Sequence, residues 1–202
     1  MNCFFRIAGR LLCMKGDVPY GALDAGWRCF AVPQRREAES DITVLYAELK
    51  SIDYLVECYP LSAGMRHIYR YGPDVFLAKQ DFSFYTVLPL VDKGSFSVLT
   101  DQIYYTHAVR RQMLQLHCAT IEDRGRGVLF LGPSGIGKTT QAERWAQYRG
   151  SAIINGDIGF VQRTPRGYTA WGTPWHGSSP YCLNTSVPVK ALVVLKQSPE
   201  NA

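Results

Sequence analysis

Apolar and polar positions are distributed differently in the two halves of the chain. Over the first hundred or so residues, aromatic and β-branched residues gather in short runs at 27–32, 82–90 and 96–100, broken by Pro33 and by the stretches 72–74 and 92–94. Short β-prone runs between turn-forming residues predict strands. The first half therefore reads as a β-rich domain, with one helix expected near 42–52. The texture changes at 106–116, where Val109, Met113 and Leu116 follow helical spacing behind Thr106, which predicts a helix and a domain boundary at about residue 103.

Beyond that boundary the pattern predicts a strand at 114–121, a tight polar turn at 123–127 and a continuous apolar strand at 128–131. An uninterrupted apolar run marks a strand buried on both faces. A helix is expected over 137–148, with Ala142, Trp145 and Ala146 inward and Gly150 as its stop. A short strand at 152–154 runs into Asn155-Gly156-Asp157, and a last strand is expected at 190–195.

The glycines between strand 128–131 and helix 137–148 carry the chemistry. Gly132, Pro133, Ser134, Gly135, Ile136, Gly137, Lys138 and Thr139 match the pattern of glycine, four residues, then Gly-Lys-Thr, and Thr140 follows. Such a loop wraps phosphates closely because its glycines carry no Cβ and reach backbone angles other residues resist. Its N–H groups and the positive end of the helix face the anion. Lys138 supplies a charge for the terminal phosphates, and Thr139 a hydroxyl for magnesium. Asp157, after a short apolar strand, is the expected second magnesium ligand. ATP and Mg2+ are the cofactors this reading implies.

Composition changes the picture only by exclusion. The chain has 202 residues, 47% of them apolar, enough for a packed core. Its 22 Lys and Arg against 17 Asp and Glu are spread out, so no nucleic-acid partner is expected. The six cysteines Cys3, Cys13, Cys29, Cys58, Cys118 and Cys182 form no Cys-x-x-Cys pair and read as reduced thiols. Arg6 and Arg10 interrupt the apolar N-terminus, and no run approaches the roughly 20 residues that span a bilayer. The expected setting is cytoplasmic, with no membrane association.

The stretch from Leu116 through His117 to Asp123, the Gly125-Arg126-Gly127 turn and the strand entering the loop resemble the catalytic domain of HPr kinase/phosphorylase. That resemblance covers about residues 114–160. It implies an α/β fold, a P-loop domain of the HPr kinase and phosphoenolpyruvate carboxykinase type at 104–202, preceded by a β-rich (α+β) domain at 1–103 that selects acceptor or partner. It implies transfer of the γ-phosphoryl group of ATP to a hydroxyl of a protein, a peptide or a small molecule. His117 would line the active site, and Lys138 and Asp157 would act in transfer. One departure stands out: the family carries two adjacent aspartates where this chain has Gly156-Asp157. Gly156 cannot serve as base, so Asp157 is expected to take that part, or the chain is an ATP-binding module without transfer. A carboxykinase-like enzyme is a further alternative.

The segment 168–181, with Trp171, Trp175 and His176, is richer in aromatic residues than a plain connector and is expected to meet the ligand or cover an apolar edge. Only seven residues follow the last expected strand. The domain is therefore expected to be incomplete at its C-terminus, with exposed apolar surface near 193–195 that favours self-association.

Overall fold

The computed structural model describes residues 2–47, 64–88 and 93–198. It is a mixed α/β protein with two six-stranded sheets and few helices, divided into two units, Met1–Arg110 and Arg111–Ala202.

In the first unit the sheet runs β1-β2-β3-β6-β5-β4. β1 (Cys3–Ile7) and β2 (Arg10–Gly16) form a hairpin that turns at Ala8 and Gly9, both with positive φ. β3 (Ile42–Tyr46) lies parallel to β2 and to β6 (Phe84–Val87), while β4 (Met65–Tyr71) and β5 (Asp74–Lys79) complete the sheet in antiparallel fashion. The helix expected at 42–52 is therefore a strand over its first five residues, and 48–52 lie outside the described residues. Ile42, Thr43 and Val44 are β-branched and buried between two parallel neighbours, which suits a central strand.

Two further expectations reverse. The run 27–32 is helical at its start and only bridges a strand at its end: Trp27 sits in the short helix α1 (Ala25–Arg28), where its N–H donates to the N-cap side chain of Asp24 at 3.2 Å, and Ala31 forms an isolated antiparallel bridge to Phe5. The run 96–100 opens the long helix α2 (Phe96–Val109). Five apolar residues cannot distinguish the two periods; the buried set Phe96, Leu99, Thr100, Ile103, Tyr104, His107 and Ala108 keeps helical spacing and does. The helix expected at 106–116 ends at Val109, and Gln112, with φ +59°, turns the chain into a strand. Tyr104 is buried and donates its hydroxyl hydrogen to the Ile7 carbonyl at 2.6 Å, so α2 belongs to the first unit and the division falls near residue 110, not 103.

The second unit is built on β7 (Met113–Asp123), whose eleven residues serve three neighbours. Its first half pairs antiparallel with β10 (Ile158–Thr164), and its second half with β8 (Arg126–Leu131) and β9 (Ala152–Asn155). β11 (Gly167–Trp171) and β12 (Ser186–Val194) complete the order β10-β11-β12-β8-β7-β9, with β12 parallel to β8. The helix α3 (Lys138–Arg149) covers one face through Ala142, Trp145 and Ala146, against Ala119, Ile121, Val128, Phe130 and Ile153. Gly150, at φ +69°, stops it in the left-handed conformation that favours glycine.

A bulge between Val189 and Ala191 reverses the faces of β12. Val193 and Leu195 consequently pack against the core under α3, while Leu192 and Val194 are 57% and 77% exposed. The exposed apolar surface expected near 193–195 is present, carried by Leu192 and Val194, while Val193 and Leu195 turn inward.

The end of α3 is tied down by Arg149, whose guanidinium donates to the Asp123 carboxylate at 2.7 Å, with the Ser151 hydroxyl at 2.9 Å. The Arg149 hydrogen bond, then that of Ser151, holds the Asp123 carboxyl below its ordinary range. A carboxyl depressed in the folded state contributes stability above its unfolded pKa of 3.8 and loses it as the pH falls through the folded value. Asp123→Asn is expected to flatten the loss of stability below pH 3.8, read as denaturation midpoints in an acid series beside the parent chain. At neutral pH the cost should be small, since Arg149 is solvent-accessible.

Among the described residues no helix is long and apolar enough to cross a membrane. Cys3, Cys13, Cys29, Cys118 and Cys182 form no disulfide among the described residues, and Cys58 lies outside them.

Candidate functional site

The register of β7 assembles the site. Cys118 faces Leu131, so His117 stands beside the point where β8 gives way to Gly132; Ile158 faces His117, so Asp157 arrives at the same end of the sheet. The 132–137 loop leaves β8 here and returns into α3. Together with residues from the 176–179 turn these groups line a cavity of about 570 Å3, within the range of small-molecule sites. Its walls include His117, Ser134, Lys138, Thr139, Asp157 and His176, together with Gly135, Gly137 and Thr140. Pro133 and Ile136 shape the loop instead: the Ile136 N–H donates to the Pro133 carbonyl at 3.3 Å.

The loop's backbone suits its glycines. Gly135 and Gly137 have φ of +76° and +102°, and nothing lies within 4 Å of where their Cβ atoms would stand. α3 begins at Gly137 with no side-chain cap and no acidic residue in its first turn. Among the described residues no side chain caps its leading N–H groups, and no carboxylate in its first turn answers its positive dipole end.

Lys138 is 6% exposed and donates to the loop's own carbonyls, Gly132 O at 3.0 Å and Pro133 O at 3.1 Å. Among the described residues it forms no ion pair. A buried ammonium without a counter-charge is costly unless an anion completes it. Thr139 donates its hydroxyl hydrogen to the Gly156 carbonyl at 3.3 Å, which keeps both lone pairs of the oxygen for another partner.

Asp157 is fixed from three sides. Its N–H donates to the Asn155 side chain at 2.8 Å, its carbonyl accepts from the Cys118 N–H at 2.8 Å, and its Oδ1 meets His117 Nε2 at 2.8 Å. Asn155 is fully buried and held in turn by donation to the Thr173 carbonyl at 2.9 Å. His117 remains half exposed, so the pair lies open to the cavity. Burial pushes the neighbouring Cys118 thiol up to about 11, as befits a core residue and not a nucleophile.

Position 156 holds a surprise that the sequence pattern could not show. A Cβ at Gly156 would stand 2.0 Å from Ser179 Oγ and 2.5 Å from Ser179 Cβ. The space in which a first aspartate would begin is filled by a serine from the 176–179 turn. That turn is closed by Ser179 N–H donating to the His176 carbonyl at 3.0 Å and by contact between His176 Nδ1 and the Ser179 carbonyl. Gly177 abuts Asp157 so closely that a Cβ would lie 2.6 Å from Oδ2.

The sequence-predicted residues thus converge: the loop, Lys138, Thr139, Thr140, His117, Asp157 and His176 share one cavity. The tryptophans do not. Trp175 is buried against Phe160, with ring centroids 6.3 Å apart, and Trp171 lies on β11. Ser178 and Ser179 were missed; the paired small hydroxyls after His176-Gly177 were their only signal.

No curated protein matches the chain. The family model of the SynChlorMet cassette protein ScmC matches residues 95–202, just over half of the chain and all of the second unit with its loop, His117 and Asp157. The chain belongs to the ScmC family of SynChlorMet cassette proteins.

Proposed function

We propose that this chain is an ATP-binding, HPr kinase-like phosphotransferase that passes the γ-phosphoryl group of ATP to a hydroxyl acceptor. The observation that carries the reading is Lys138: a buried lysine with no carboxylate partner among the described residues, at the start of a helix with no side-chain cap, lining one cavity with the His117–Asp157 pair. Loop N–H groups, helix dipole and ammonium suit a polyphosphate. The acceptor is a serine or other hydroxyl of a protein, a peptide or a small molecule, and a cytoplasmic setting fits the use of ATP.

The residues present also fit magnesium. Among the described residues no three His, Cys, Asp or Glu side chains cluster into an all-protein metal site. Mg2+ commonly takes one or two protein oxygens and completes its shell with phosphate and water. Thr139, with both lone pairs available, and Asp157 would hold it. When bound, the ion neutralises charge on the phosphates. Asp157 Oδ1 is hydrogen-bonded to His117, which fixes the carboxylate in orientation; as the single aspartate of the site it accepts the acceptor's hydroxyl proton.

Asp157→Asn is expected to lower phosphoryl transfer about 10²- to 10⁴-fold, with a much smaller change in nucleotide affinity. Phosphate transfer to added hydroxyl acceptors, measured beside MgATP affinity, checks this; near-normal turnover in the variant would reduce Asp157 to a turn residue. A second reading, an ATP-binding module without transfer, is favoured by Ser179 standing where the first aspartate of the resembled family would begin. Tight MgATP binding with no acceptor-dependent ADP release would select it.

A further inference from the structure

The cavity carries a hydroxyl that the loop chemistry does not use. Ser178 is exposed and lines the same cavity as Lys138 and Asp157, and its hydroxyl makes no hydrogen bond to a described residue. The geometry points to Ser178 as an internal phosphoryl acceptor: the chain phosphorylates itself, in cis, on this residue. The inference rests on the proposed ATP-binding reading and names one acceptor for that site.

Four observations carry it. The turn bearing Ser178 is pinned at both ends, by the Ile158 N–H donating to the Trp175 carbonyl at 3.2 Å and the Gly156 N–H donating to the Tyr181 carbonyl at 3.1 Å. Gly177 packs on Asp157 so tightly that only a residue without Cβ fits, which fixes the backbone one residue before Ser178 against the carboxylate. Oδ1 of that carboxylate is occupied by His117, so Oδ2 is the oxygen facing the turn. Ser179, the neighbouring hydroxyl, is buried and its Oγ accepts from the Tyr181 N–H at 3.1 Å, so it is a structural part of the turn.

The step balances. Ser178 Oγ bonds to the γ-phosphorus, the bond from that phosphorus to the bridging oxygen breaks, ADP leaves, and the hydroxyl proton passes to Asp157. A hydroxyl fixed within the same molecule has an effective concentration no free acceptor reaches.

Incubation of the full chain with MgATP, followed by phosphopeptide mass spectrometry, tests the inference. One phosphate on Ser178 is expected, at a rate per molecule that does not change when the protein is diluted. Ser178→Ala should abolish the label and leave the MgATP-induced thermal shift intact, and Ser178→Thr should keep the site labelled. Phosphate on Ser179 or elsewhere, a rate proportional to protein concentration, or a clear MgATP shift with no phosphate would each overturn it. The last outcome leaves the nucleotide-binding reading standing; the lack of any MgATP shift in the parent chain would overturn both.

Discussion

Lys138→Met is expected to remove most of the thermal stabilisation conferred by MgATP while leaving the unliganded protein about as stable as before. A ligand present at about 100 times its Kd stabilises the folded state by about 2.7 kcal/mol. For a chain of this size each kcal/mol raises Tm by roughly 2–4 °C, so the parent should gain about 5–10 °C. Removing Lys138 costs a charge-assisted contact worth about 1.5–3 kcal/mol, enough to cancel most of that gain. The unliganded protein has little to lose, because Lys138 pairs with no carboxylate among the described residues. Met has a similar stem and no charge to desolvate, while the Gly132 and Pro133 carbonyls released by the exchange are only partly buried and can turn to water. Differential scanning fluorimetry with and without MgATP reads both quantities. An unchanged ATP response would end the phosphate-loop reading, and a collapse of the unliganded Tm would show that Lys138 is a structural cation.

Gly156→Asp, which would restore the doublet of the resembled family, is expected to damage the protein instead of repairing it. The new Cβ would fall 2.0 Å from Ser179 Oγ and 2.5 Å from Ser179 Cβ. The second contact is with an atom one bond from the backbone, so rotation of the serine alone cannot relieve it. The whole 176–179 turn must move, and with it Gly177 against Asp157. Overpacking of this kind costs about 1–3 kcal/mol. Adding Ser179→Gly removes both clashing atoms and should recover most of the loss, giving a favourable coupling of about 0.5–3 kcal/mol in a double-mutant cycle. Additive effects would mean that the turn yields freely and that positions 156 and 179 are independent. On this view Gly156 and Ser179 form one structural unit, and the missing aspartate reflects a reshaped site.

The part of the protein legible in its residues was the part governed by local rules. The 132–139 stretch declares itself because a backbone wrapped around phosphate needs glycine at set intervals, followed by Lys and a hydroxyl. β8 is a continuous apolar run and α3 ends in a glycine stop, so both were readable within a residue or two of their ends. In the first unit the same reasoning faltered at 42–46, 27–32 and 96–100, where a few apolar residues fit either period and the surroundings decide. Ile42 to Tyr46 became a strand because β2 and β6 flank it, and Phe96 opens a helix because its buried partners recur one and two turns later. At the site, sequence alone could nominate His117 and Asp157 but not their 2.8 Å contact, which depends on one strand pairing with two others in a particular register. Least legible of all was the 176–179 turn: that Ser179 fills the space above Gly156, and that Gly177 lies on Asp157, follows from chain segments far apart in sequence meeting at van der Waals distance. Residue types and spacing nominate the groups of a candidate site; packing between distant segments decides which of them line one cavity.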